Sequence, residues 1–147
     1  MIFFSFSGDT VSFVNNKEKE NQLNIGVRDT NVVIDWTYNL PKPDILKDIT
    51  FGYFKENDNV FNIAVKIKGQ PLFYNPDIDN QDKNNIIVEA DDTSVAKIIL
   101  KEIILNYENK RKYFCRIRTT DGGGINSHVI VNVYGKYIYF LLYFNVL

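Results

Sequence analysis

A single cysteine, Cys115, in 147 residues leaves no partner for an intrachain disulfide, so a cysteine-stapled scaffold is excluded while the compartment stays open. One histidine, His128, gives histidine-based catalysis no second residue to fall back on. Charge of one sign is also missing. Seventeen Lys and Arg face eighteen Asp and Glu, a net charge of -1, which supplies neither a footprint for a phosphate backbone nor a polycationic membrane patch, and so excludes nucleic acid as a partner. No apolar run reaches the roughly 20 residues of a bilayer-spanning helix. No fixed-period repeat or long Pro, Ser or Gly tract divides the chain. None of the 18 asparagines begins an Asn-x-Ser or Asn-x-Thr sequon, which leaves the surface free of N-linked glycan. The length itself excludes two full domains, since cores divide only at roughly 250 residues and above.

What is present points to β-structure. Ile and Val number 31 against 12 for Ala and Leu, and 14% of the chain is aromatic. Such side chains fit a pleated, half-buried surface, whereas Ala and Leu favour helices. With 45% apolar residues the chain can bury a core. Strand signals occur at Thr10–Val14, Leu23–Val27, Ile49–Lys55, Val60–Ile67 and Ile86–Val88. The cleanest alternation runs through Val32, Ile34, Trp36 and Tyr38 until Pro41 and Pro43 stop it. Gly69–Asn85 reads as loop, and Val95–Leu105 as a strand followed by one helical turn. Tyr113–Thr119 and His128–Tyr134 alternate again, joined by a Gly-rich hairpin through Asp121, Gly122, Gly123 and Gly124. About nine short strands at this spacing predict a two-sheet sandwich over residues 9–135. Residues 1–8 read as a remnant of a signal peptide, and 136–147 as an apolar tail, either a truncated membrane span or an added strand.

The segment Lys112-Tyr113-Phe114-Cys115-Arg116-Ile117 carries a Tyr-x-Cys core. It resembles the penultimate strand of V-type immunoglobulin domains, with Asn109 and Arg111 where that family usually has Asp and Gly. Aligned on Ile34, the family's second-strand cysteine falls at Trp36, and its third-strand tryptophan at Phe51. The resemblance covers about 125 residues and implies an all-β, two-sheet Greek-key sandwich lacking the inter-sheet disulfide, with Ile34, Trp36, Phe51, Tyr113 and Cys115 in its core. A native bridge closing a loop of about 80 residues contributes on the order of 2 to 5 kcal/mol. Two large buried aromatics, at roughly 3 to 5 kcal/mol each by truncation, offset its loss.

Asp35-Trp36-Thr37-Tyr38 together with Ile49-Thr50-Phe51-Gly52-Tyr53-Phe54 is similar to the divergent immunoglobulin-like ectodomains of hydrozoan cnidarians, which include allorecognition receptors. That resemblance implies an extracellular or cell-surface recognition and adhesion module whose partner is a protein, a second copy of itself among the candidates. A soluble secreted binder or decoy of the same fold is the alternative. The expected binding residues are Tyr53, Lys66, Arg116 and Arg118 on the front sheet, with Asp121, Gly122, Gly123 and Gly124 on the hairpin.

Chemistry is weakly signalled. Cys115 and His128 lie on neighbouring predicted strands, but the Tyr-x-Cys alternation turns the sulfur into the core, where a thiol is inert. Asp77–Asp82 opens like a calcium loop, yet Asp82 stands where glycine is required and Val88 where the final carboxylate belongs, so it reads as a solvated acidic loop. Asn57-Asp58-Asn59 reads as a turn. Gly122–Gly124 lacks the helix of a phosphate loop. No catalytic residue, cofactor, metal or small-molecule substrate is expected, and a membrane only through a segment truncated here.

Overall fold

The computed structural model describes residues 10–14, 21–26, 31–43, 45–101 and 110–134. The expected leader remnant at 1–8, the helical turn after Lys101 and the tail at 136–147 lie outside these residues. The described strands are β1 (Ser12–Phe13), β2 (Asn21–Gly26), β3 (Asn31–Asp35), β4 (Tyr38–Asn39), β5 (Leu46–Phe54), β6 (Val60–Ile67), β7 (Phe73–Tyr74), β8 (Ile86–Ala90), β9 (Ala96–Lys101), β10 (Lys110–Thr119) and β11 (Gly124–Tyr134). A front sheet has the order β2-β11-β10-β5-β6-β7, a back sheet the order β3-β9-β8, and β1 pairs with β4. All pairings are antiparallel except one: β2 lies parallel to β11, Asn21 beside Val129 through Gly26 beside Tyr134.

The two-residue period places one set of side chains between the sheets. Tyr113, Cys115 and Ile117 of β10 face inward with Ile49 and Phe51 of β5 and Val129 and Val131 of β11, and meet Val32, Ile34, Ile98 and Leu100 from the back sheet. Trp36, just past β3, donates its backbone N–H to the Ala96 carbonyl and is fully buried. Its ring stands 6.4 Å from Phe51 at a 51° tilt. Cys115 is opposite Phe51 in the β5–β10 register, so tryptophan, phenylalanine and a lone thiol occupy the centre between the sheets.

The segment Gly69–Asn85, expected as loop, holds both β7 and a helix. Asn80–Asn85 forms a short helix, α1, with Asp79 as its N-cap accepting from the Asp82 N–H at 2.8 Å. Asp82 is therefore no solvated loop residue. The helix turns its carboxylate inward, where it is 2% exposed. A tertiary partner, Arg111, overrides the polar local pattern, and that partner is invisible to local sequence reading.

Gly52 marks the bulge between β5 and β6, where the register shifts after Phe51. A Cβ there would sit 2.3 Å from the Phe61 carbonyl oxygen and 2.5 Å from the Phe114 ring. Gly52→Ala is expected to destabilise the fold by about 1–3 kcal/mol, because backbone on one side and an aromatic ring on the other must both move. Equilibrium denaturation of the variant checks this.

Candidate recognition surface

The outer face of the front sheet is assembled by the residues that alternate with the core. On β10 these are Lys112, Phe114, Arg116 and Arg118; on β5, Asp48, Thr50, Gly52 and Phe54; on β11, Asn126 and His128. The bulge at Gly52 leaves a gap that the Phe114 ring fills. Phe114 stacks edge-on against Phe54 at 5.5 Å, and Phe54 against His128 at 6.4 Å. Farther along the same face Val60, Ile67 and Phe73 stand exposed, Phe73 at 64%. Apolar and aromatic side chains exposed together on one sheet face are a usual mark of an interaction site.

The eight expected binding residues separate into three groups. Arg116 and Arg118 lie on the outer face. Arg116 is exposed and has no carboxylate partner among the described residues, with Thr50 and Asn126 as its cross-strand neighbours. Arg118 forks onto Asp48, its Nε 2.9 Å from Oδ1, which fixes the guanidinium flat on the sheet.

Asp121, Gly122, Gly123 and Gly124 form the hairpin as expected, but the tip is held rather than loose. Gly122 takes φ +85°, a left-handed conformation glycine permits. One Asp121 oxygen accepts from the Thr119 hydroxyl and from the Gly123 N–H at 3.0 Å, and together these donors hold the carboxyl below the usual carboxylate range. The Thr120 N–H donates to the Ile45 carbonyl at 2.7 Å, tying the hairpin to the chain entering β5. A recess of about 300 Å³ opens beneath it, between Thr10, Val11, Ile45 and Asp121.

Tyr53 and Lys66 belong to the inner side. Tyr53 shares a face with Ile49 and Phe51 and is stacked under Arg111, whose Cζ lies 4.1 Å from the ring centroid. Burial raises its hydroxyl's pKa, and Arg111 opposes that. Lys66, opposite Ile49, is 8% exposed and reaches Asp92, in the turn of the back sheet, at 2.6 Å. The sequence reading placed both on the front face; the period of two puts them on the other side, with Ile49 and Phe51. Phe54 and Phe114 belong in their place. The signal for Phe114 was already present, since the residue between Tyr113 and a core Cys115 must point outward.

Two ion pairs join the sheets at their β6–β8 side. Arg111 of the front sheet meets both oxygens of Asp82, before β8, at 3.2 Å. Lys66 meets Asp92, which also accepts from the Gly69 N–H at 3.0 Å; these contacts hold the Asp92 carboxyl below its ordinary value of 3.8. At Asp91 burial works against ionisation, but the N–H groups of Ser94, Val95 and Thr93 and the Thr93 hydroxyl outweigh it and also lower its pKa. Carboxyls depressed on folding stabilise the fold above the unfolded value near 3.8 and lose that contribution as pH falls through the folded values. The urea midpoint is therefore expected to hold above about pH 4 and to decline below it, more shallowly in Asp91→Asn, as equilibrium unfolding at a series of pH values would show.

The Cys115 thiol and His128 imidazole do not meet: Cys115 pairs with Ser127 and Phe114 with His128, so the two side chains lie on opposite faces of one sheet. Burial pushes the thiol's pKa well up. Among the described residues no three His, Cys, Asp or Glu side chains gather as metal ligands, and no helix is long and apolar enough to cross a membrane.

No protein-family model and no curated protein matches the sequence. Solved structures do resemble the fold. Murine CRIg superposes with a TM-score of 0.57 at 9% identity, over 78% of this chain and 93% of that one. A chain from work on the structural basis of T cell specificity and activation by the bacterial superantigen toxic shock syndrome toxin-1 gives 0.55 at 10% identity, over 78% and 92%. Both neighbours are V-type immunoglobulin-like domains.

The fold is an immunoglobulin-like β-sandwich. The β2–β11 parallel pairing is its strand switch, by which the N-terminal segment leaves β4 of one layer for β11 of the other. Within that fold Trp36 and Cys115 are both fully buried between the sheets.

Proposed function

We propose that this immunoglobulin-like domain is a recognition module that binds a protein partner through the outer face of the front sheet and the Thr119–Asn126 hairpin, by surface complementarity and without chemistry. The observation that carries this reading is the co-location, on one sheet face, of the Phe54–Phe114 stack, the exposed Val60, Ile67 and Phe73, and Arg116, which has no carboxylate partner among the described residues. Aromatic anchors and arginine are enriched among residues that dominate binding energy. The fold likeness supports an extracellular or cell-surface setting, and the likeness of Asp35–Tyr38 to hydrozoan allorecognition ectodomains belongs to the same reading. The domain is taken as residues 9–135, with 136–147 as its link to a membrane or an added strand.

The charge on the face favours a partner other than a second copy. Arg118 is met by Asp48, but Arg116 faces outward with no carboxylate partner among the described residues, so a two-fold pair of such faces would bring this positive charge against its own copy. An acidic-rimmed partner fits better. Multimerised chain is expected to stain partner-bearing cells, with staining lost in Phe114→Ser and Arg116→Glu and kept in Val33→Ser on the back sheet. In sedimentation the chain is expected to remain monomeric to near-millimolar concentration; a dimer abolished by Arg116→Glu would instead make the recognition homophilic.

A further inference from the structure

The end of the front sheet opposite the hairpin holds a second feature, which shares Phe54 and Lys112 with the outer face and otherwise lies beyond it. A cleft of about 650 Å³ opens there between the β5–β6 turn and the start of β10, floored by Tyr53 and Phe54. Its walls carry Lys55, Lys110 and Lys112 together with Glu56 and Asp58. Lys112 lies 4.8 Å over the Phe54 ring and Lys55 4.7 Å over the Phe61 ring, so these aromatic faces steer the ammonium groups. Arg111, also in the wall, has its charge met by Asp82. Lys55 and Lys110 have no carboxylate partner among the described residues, although two carboxylates stand in the same cleft.

We propose that this cleft binds a sulfated saccharide. The ammonium groups of Lys55 and Lys110 meet the sulfate oxygens with charge-assisted hydrogen bonds. Glu56 and Asp58 accept hydrogen bonds from ring hydroxyls, a role that a ligand bearing only anionic groups cannot fill and that would repel it. The volume suits a short oligosaccharide. The chain's overall charge of -1 gives a polyanion no general attraction, so binding must come from this local cluster.

The test is calorimetric titration of a heparin-derived tetrasaccharide into the full chain at low ionic strength, beside the same tetrasaccharide stripped of sulfate and beside inorganic polyphosphate. The sulfated sugar is expected to bind, with the desulfated one at least tenfold weaker. Lys55→Ala/Lys110→Ala is expected to lose at least tenfold with an unchanged melting temperature, since both side chains are exposed. Arg116→Ala, at the protein-binding face, is expected to bind the sugar as the parent does. No binding, equal binding by the double variant, an equal loss in Arg116→Ala, or polyphosphate binding as tightly as the sugar would each overturn the proposal.

Discussion

Trp36→Ala is expected to lower the unfolding free energy by about 3–5 kcal/mol, because truncating a fully buried indole removes its transfer free energy and leaves a cavity that the two sheets close only in part. Phe51 loses its ring neighbour at 6.4 Å. With no bridge between the sheets, the indole is the main filling of the space a disulfide would cross. A loss of that size is a large part of the 5–15 kcal/mol typical of a domain. Trp36→Phe separates bulk from polarity. The indole Nε1 is buried without an acceptor among the described residues, so phenylalanine removes an unsatisfied donor worth about 1–3 kcal/mol while giving up part of the volume. Trp36→Phe is therefore expected to lose less than half of what alanine loses. Urea unfolding of the three proteins decides; equal losses for Phe and Ala would mean that the indole's shape, and not its volume, holds the sheets.

Asp82→Ala is the second large effect, expected at about 3–5 kcal/mol. The carboxylate is 3% exposed in its side chain and meets Arg111 with both oxygens. The substitution takes the Asp82 carboxylate away from a guanidinium that is only 12% exposed. The energy lost is chiefly desolvation of the guanidinium that Asp82 no longer offsets, so replacing both partners by apolar groups of similar size restores most of it. Asp82→Leu/Arg111→Met is expected to unfold within about 1 kcal/mol of the parent, and a double-mutant cycle measures the coupling. A double variant as unstable as the single would show that α1 packing, rather than the ion pair, carries Asp82's contribution.

These two sites show how far local reading extends. Trp36 was legible because alternation through Val32, Ile34, Trp36 and Tyr38 assigns one face to the interior whatever that interior contains. Cys115 and Tyr113 were legible in the same way, and so was the hairpin, whose glycines announce a turn. Asp82 was not. Its neighbours are polar, its segment resembles a failed calcium loop, and the residue that makes its burial tolerable is 29 positions away on another strand. Lys66 and Tyr53 were assigned to the wrong face although their own strand period contained the answer: Tyr53 shares its parity with Ile49 and Phe51. Residue type, suggestive of a binding hot spot, outweighed the geometry in that assignment.

The amino-acid sequence by itself determined the all-β class, the succession of strands and the burial of Ile34, Trp36, Phe51, Tyr113 and Cys115. Each follows from β-branched and aromatic content and from a period of two, properties that a chain carries locally. Only the tertiary structure decided that β2 runs parallel to β11, that Gly52 makes room for the Phe114 ring, and that Arg111 and Lys66 serve the interior while Arg116 remains available at the surface. The first two depend on strand pairing and steric fit between strands far apart in sequence and the last on which charge finds a counter-charge across the sandwich, and all are set by the packing of two sheets, not by any stretch of neighbouring residues.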